Sequence, residues 1–243
     1  MATQPHLQIE PGDVHDLALV PGDPDRVHRI ADHCEDHEPV ATNREYTVVN
    51  ATTDGVPITL CSTGIGGPSA AIAIEELANV GVDTLLRVGT TGALQPEIEI
   101  GDMIVATAAA KEEGTTKRYE DAVYPAVADY DVLDALVTAA ETNDEAVHVG
   151  PIVTDDAFYN ETDDVITPWS DAGLLCVEME AATLFTLARR RGLRAGAICT
   201  VDGNLVRGTQ KGSTDEATEL PPKARDNVAR AIDIALAAAR SVA

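Results

Sequence analysis

Thr84-Leu85-Leu86-Arg87-Val88-Gly89-Thr90-Thr91-Gly92 is the stretch on which the reading of this chain turns. Thr84 to Val88 is apolar and β-prone, has a helical pattern before it and runs into glycines, which predicts a short buried strand followed by a loop. Arg87 is a permanent cation near the end of that strand. In an open α/β sheet, ligands bind outside the carboxyl ends of strands. Gly89 and Gly92 let the backbone approach a ligand, and Thr90 and Thr91 add hydroxyls. Cation, amides and hydroxyls together suit a phosphate. The alternative is a strand-to-loop turn whose arginine pairs with a nearby carboxylate.

Around this stretch, 243 residues are enough for one sizeable core and predict a single α/β domain spanning 1–243. The formal charge is −24, yet 44% of residues are apolar and fall in periodic segments, which argues against an acidic disordered chain. The acid reads as a solvated surface suited to a salt-accumulating cytoplasm, such as that of a halophilic archaeon. Its field repels nucleic acid and anionic membranes, so neither is expected as a partner. Only four of the 17 basic residues are lysines (Lys111, Lys117, Lys211, Lys223). With so few cations to spare, any cluster of arginines carries information. Cys34, Cys61, Cys176 and Cys199 lie far apart without a CxxC, which predicts buried thiols in a reducing compartment. No apolar run approaches a membrane span and no signal peptide is read, so a cytoplasmic location is expected.

Before the central stretch, Leu17 to Val20 predicts a strand ending in Pro21-Gly22-Asp23-Pro24, then a helix from about Asp25 to Cys34. Arg26 falls in its first turn, beside amides that favour an anion. His28, His33 and His37 are spaced poorly for one helical face to share a metal. Tyr46–Thr53 and Val56–Cys61 read as a hairpin around Asp54-Gly55. The second strand enters Ser62-Thr63-Gly64-Ile65-Gly66-Gly67-Pro68-Ser69 and a helix to about Val80. Gly64, Gly66 and Ser69, with Asp83 further on, come near a dinucleotide fingerprint. A dinucleotide-binding protein is therefore an alternative of another class, though it leaves Arg87 unexplained.

After the stretch come a strand over Gly101–Ala109, a helix over Tyr130–Glu141 and a strand over Val147–Val153. Phe158 and Tyr159 then either stack on a flat ring or cap the core. A helix is expected from Val177 to about Arg191. Glu178 and Glu180 flank Met179 at its start, as helix-terminal charges or as acceptors for a sugar diol with the thioether on the sugar face. Leu193–Val201 predicts a strand delivering Asp202-Gly203-Asn204, where Asp202 is a candidate proton donor or a turn former. Pro221 begins a last helix running to about Val242. The alternation predicts an α/β fold with a mixed central β-sheet flanked by helices.

Five separate motifs, in order, resemble the hexameric nucleoside phosphorylases of the NP-I family. They are Pro21 through Val27, Asn43-Arg44-Glu45, Ser62 through Ser69, Arg87 through Gly92 and Glu178-Met179-Glu180. The likeness covers nearly the whole chain and looks nearest uridine phosphorylase. It implies phosphate-dependent cleavage of the N-glycosidic bond of ribonucleosides, giving free base and ribose 1-phosphate. The implied phosphate site comprises the Gly22 amide, Arg26, Arg87 and Thr90, with Arg44 reaching in from a neighbouring subunit. Met179 and Glu180, beside Glu178, hold the ribose, and His6 of the neighbour meets the 5′ hydroxyl. Thr91, Gly92, Phe158 and Tyr159 surround the base. Glu45, Ile65 and Ser69 match a potassium site between subunits, and the assembly implied is a hexamer built as a trimer of dimers. No organic cofactor is expected; inorganic phosphate is a co-substrate.

The base end departs from uridine phosphorylase. That family reads uracil with a Gln-x-Arg pair, and the segment Asn160-Glu161-Thr162-Asp163-Asp164 lacks it. Val201-Asp202-Gly203 is instead similar to purine-cleaving members, whose Asp protonates purine N7, with Arg207 as its assistant or as a substitute uracil contact. Purine nucleosides are therefore favoured, with uridine as the alternative. A nucleosidase using water is a further alternative, against which Arg26, Arg44 and Arg87 argue.

Overall fold

The computed structural model describes residues 3–209 and 222–243. Among them, nine strands form one mixed sheet in the order β2-β3-β4-β1-β5-β8-β7-β6-β9. In chain order the strands are β1 (Leu17–Leu19), β2 (Asp36–Asn43), β3 (Tyr46–Thr53), β4 (Val56–Cys61), β5 (Thr84–Ala93), β6 (Met103–Lys111), β7 (Val147–Thr154), β8 (Cys176–Glu178) and β9 (Arg194–Asn204). The helices are α1 (Pro24–Ala31), α2 (Gly67–Val80), α3 (Tyr130–Thr142), α4 (Asp163–Asp171), α5 (Ala181–Arg191) and α6 (Pro222–Val242). Pro221, where the sequence places the start of the last helix, lies outside the described residues. The sheet also closes on itself, because β9 pairs in parallel with β5 as well as antiparallel with β6. One apolar core lies under α2 and α5, and a second under α1, α3 and α6. Helices thus cover both faces, as continuous apolar strands require. No described helix is long and apolar enough to cross a membrane.

β5 is longer than its sequence predicts. Pairing with β9 runs from Thr84↔Arg194 to Ala93↔Asn204, with an irregularity between Thr91 and Gly92. The glycines therefore serve close packing within a strand instead of opening a loop. A Cβ on Gly92 would lie 2.2 Å from Leu205 Cδ1, and one on Gly89 2.9 Å from the Arg87 guanidinium. Asp202 likewise sits inside a strand, because β9 continues to Asn204.

Three further elements differ from expectation. β2 turns tightly into β3, with Asn43 paired to Tyr46, so Arg44-Glu45 forms a hairpin turn and Arg44 takes a positive φ of 56°. Val177 belongs to β8, and the helix starts only at Ala181. The Glu178 carboxylate explains that boundary by accepting from the Glu180 and Ala181 amides at 2.9 Å each. It thereby satisfies donors that a helix start leaves orphaned. The polar segment after Phe158 is a 3-10 turn, Phe158–Asn160, followed by α4.

Candidate active site

The carboxyl ends of β5, β8 and β9 and the loops after β1, β4 and β7 surround a cavity of about 890 Å³. One end holds Gly22, Arg26, Arg87 and Thr90. α1 supplies Arg26 because Asp23 caps it, accepting from the Asp25 amide at 2.9 Å, with Pro24 in its first turn. The Arg26 Nη1 donates to the Val88 carbonyl at 3.1 Å, while its buried Nε finds no hydrogen-bond partner among the described residues. Burial lowers the pKa of this guanidinium, and Arg87 lowers it further. Two buried cations side by side, one of them with an unsatisfied donor, suit an anionic ligand.

Arg87 is held differently, and both readings of its stretch apply. Its Nε donates to Glu178 at 2.9 Å and its Nη2 to Glu180 at 2.5 Å, while the residue still borders the cavity. Burial alone would lower its pKa, but Glu180 and Glu178 outweigh that and raise it above the ordinary arginine value.

The two glutamates divide their work. Glu178 also accepts from the Thr154 hydroxyl at 2.6 Å, which with Arg87 and the two helix amides fills its oxygens. Its carboxylate positions Arg87 and α5 and has no lone pair left for a sugar. Among the described residues, Glu180 accepts from Arg87 and from the Gly66 amide, each at 2.5 Å, one on each oxygen, so each oxygen keeps acceptor capacity toward the cavity. Burial raises the Glu180 pKa and Arg87 opposes that shift. Since the Gly66 amide is committed to Glu180, the glycine loop serves a carboxylate where a dinucleotide site would serve a pyrophosphate.

The opposite end is aromatic and acidic. Phe158 and Tyr159 meet edge to face at 5.1 Å, with Phe158 38% exposed and Tyr159 97% exposed. Thr91 and Gly92 border the same space, and the Thr91 hydroxyl is committed to the Val177 carbonyl at 2.6 Å. Asp202 lines this end together with Asp155 and Glu161. Glu161 was not singled out by the sequence, where its only signal is the missing Gln-x-Arg pair. Burial pushes its pKa up to about 7, with Asp155 and Asp202 adding to the shift.

Glu45, Ile65 and Ser69 lie at the mouth, where the Ser69 hydroxyl donates to Glu45 at 3.0 Å and Ile65 is 77% exposed. Three predicted residues do not line the cavity. The His6 ring lies 2.6 Å from Glu76, and Arg44 occupies its exposed hairpin turn. Arg207 is exposed on the turn after β9, where its amide donates to Asn204 Oδ1, so Leu205 is the residue that enters the cavity there. The structure thus separates Arg207 from the catalytic position expected for it.

A sequence profile of the phosphorylase superfamily matches residues 16–237. The chain belongs to that family. It is 68% identical to a guanosine phosphorylase from Halorubrum lacusprofundi, over 97% of this chain and 98% of that protein. It is 47% identical to a uridine phosphorylase from Thermococcus kodakarensis, over 84% and 78% of the two chains. A solved uridine phosphorylase from Vibrio fischeri, complexed with 6-hydroxy-1-naphthoic acid, superposes with a TM-score of 0.90. That likeness is at 35% identity and covers 98% of this chain and 96% of the other. Relatives named for both classes of base share one activity. The phosphorylase accordingly performs phosphate-dependent cleavage of a nucleoside's glycosidic bond, as a pentosyltransferase.

Glu161 gives the phosphorylase a pH-dependent weakness. A folded-state pKa raised to about 7 means that the folded chain holds a proton which the unfolded chain releases at lower pH. Stability contributed by that proton is present below the unfolded pKa and is lost as pH rises towards 7. Glu161→Gln, which mimics the protonated form, is expected to raise Tm at pH 8 and to leave it nearly unchanged at pH 4, read by thermal unfolding in one KCl buffer. An equal shift at both pH values would show that the carboxyl is not held near 7.

Proposed function

We propose that the phosphorylase acts on purine ribonucleosides, guanosine among them, and that Asp202 protonates the departing base. The observation that carries this reading is the acidic base end, where Asp202 and Glu161 stand in place of a Gln-x-Arg pair. A carboxyl group there supplies a proton to purine N7 as the glycosidic bond stretches. The relative named guanosine phosphorylase supports the same choice.

In this reading, phosphate sits between Arg26, Arg87, Thr90 and the Gly22 amide, in line with the anomeric carbon. Arginine forks aim its oxygens, and the dianion in turn stabilises an oxocarbenium-like sugar. Glu180 accepts from the 2′ and 3′ hydroxyls, and Met179 packs on the ribose. Phe158, with Tyr159 and the Thr91-Gly92 backbone, forms the wall for the base.

The active assembly is a hexamer, a trimer of dimers. His6 and Arg44 lie outside their own chain's cavity, which supports their serving a neighbour's ribose and phosphate. Glu45, Ser69 and the Ile65 carbonyl offer hard oxygen donors at the mouth, a set suited to potassium. Such an ion would neutralise acid where two chains meet. Four free cysteines, three of them buried, support a reducing, cytoplasmic location.

Base release from guanosine, inosine, adenosine and uridine in concentrated KCl, with and without phosphate, tests the reading. Phosphate-dependent release from guanosine and inosine is expected. Release from uridine alone would overturn the purine assignment, and release without phosphate would revive a water nucleophile.

A further inference from the structure

Glu161 differs from the other carboxylates around the cavity. Glu178 and Glu180 are bound by Arg87 and by helix and loop amides. Asp155 accepts from the Ala157 amide at 3.0 Å, and Glu45 accepts from the Ser69 hydroxyl. Glu161 lines the same space, yet it makes no hydrogen bond or ion pair with a described residue. It follows the Phe158–Asn160 turn directly, so it stands beside the aromatic wall that a flat ring would lie against. Its half-buried position sets it within the base end and not on the outer surface.

An ionised carboxylate only accepts, through two oxygens fixed in one plane. The four common bases present different edges to such a group. Guanine offers two adjacent donors, N1–H and the exocyclic amino group, which match the two oxygens. Hypoxanthine offers N1–H alone. Adenine presents an acceptor at N1, and uracil a single N–H between two carbonyls. A carboxylate facing the base therefore ranks guanine first, and it rejects adenine unless it carries a proton.

We infer that Glu161 is the guanine-reading residue of this phosphorylase, accepting from N1–H and the 2-amino group; the assignment rests on the purine reading above. Burial beside Asp155 and Asp202 makes the charge on Glu161 costly while it has no partner. Two donors from the base relieve that cost, so binding energy is gained with guanine that hypoxanthine recovers only in part. Specificity then arises from a group left unsatisfied until the right base arrives.

The test compares kcat/KM for guanosine and inosine in wild-type enzyme and in Glu161→Gln, in the same KCl and phosphate. The amide places an N–H against one of the two base donors. The guanosine-to-inosine ratio is expected to fall about tenfold or more. A ratio within about twofold of wild type overturns the assignment. Product inhibition of the wild-type enzyme gives a reading that no variant has to fold for. Guanine is expected to inhibit at least about tenfold more tightly than hypoxanthine, and equal inhibition likewise overturns it. A wild-type enzyme that cleaves uridine but neither purine nucleoside removes the purine reading, and this inference falls with it. Cleavage of both purines with an unchanged ratio removes this inference alone.

Discussion

Arg87→Ala is expected to raise the phosphate KM roughly ten- to a hundredfold, the effect of losing one charge-assisted contact, and to lower thermal stability at the same time. The second effect follows from Glu178 and Glu180, which would be left buried and facing each other without their cation. Removing one partner from a buried ion pair costs about 3–5 kcal/mol, which for a chain of this size is a fall in Tm of roughly 6–20 °C. Arg26→Gln separates the two effects. Arg26 makes no ion pair among the described residues, and burial beside Arg87 already disfavours its charge. Its replacement is expected to raise the phosphate KM as well, while leaving Tm in phosphate-free buffer equal or higher. Added phosphate stabilises the wild-type chain by mass action, and both variants should lose most of that shift. A phosphate KM unaltered in both variants would mean that the β5 end of the cavity binds something other than the nucleophile.

Much of this end is legible in the sequence. An arginine in an apolar strand is expensive to bury, and glycines and threonines beside it have few other uses. What the sequence could not convey is that Gly89 and Gly92 remain in the strand, because only the neighbours Arg87 and Leu205 demand that they lack a Cβ. β2 leaves no mark in the sequence because it is an edge strand with mostly exposed residues and so has no apolar alternation. α4 was hidden by two aspartates at its start and Pro168 within it, a composition that reads as a loop. β8 is three residues long, too short for any period to register. The sequence shows Glu178 and Glu180 as a pair flanking Met179, but only their hydrogen bonds divide them into a positioning group and an acceptor with capacity to spare. Glu161 was illegible for a related reason. Asp202, which approaches it in the fold, is distant in sequence, and a polar turn six residues after Asp155 gives no hint that one carboxylate in it faces inward.

Asp202→Asn is expected to lower kcat for guanosine and inosine by about 10²–10⁴-fold, the range for removal of a positioned acid. The phosphate KM should change little, since Arg26 and Arg87 are untouched. Such a loss alone does not identify a proton donor, because any distortion of the β9 end would slow turnover. 7-Methylinosine makes the distinction. Its base already carries positive charge at the imidazole ring and departs neutral, so no proton is needed at N7. If Asp202 acts as the acid, Asp202→Asn should cleave 7-methylinosine nearly as fast as the wild-type enzyme does. Equal losses on inosine and 7-methylinosine would reduce Asp202 to a structural group. Glu161 would then be the stronger acid candidate, because burial pushes its carboxyl up to about 7. The two carboxylates make opposite demands on protonation, since an acid must carry its proton and a guanine reader must have lost it. The pair therefore works only if the base itself separates them, with N1–H and the 2-amino group drawing Glu161 into its ionised form.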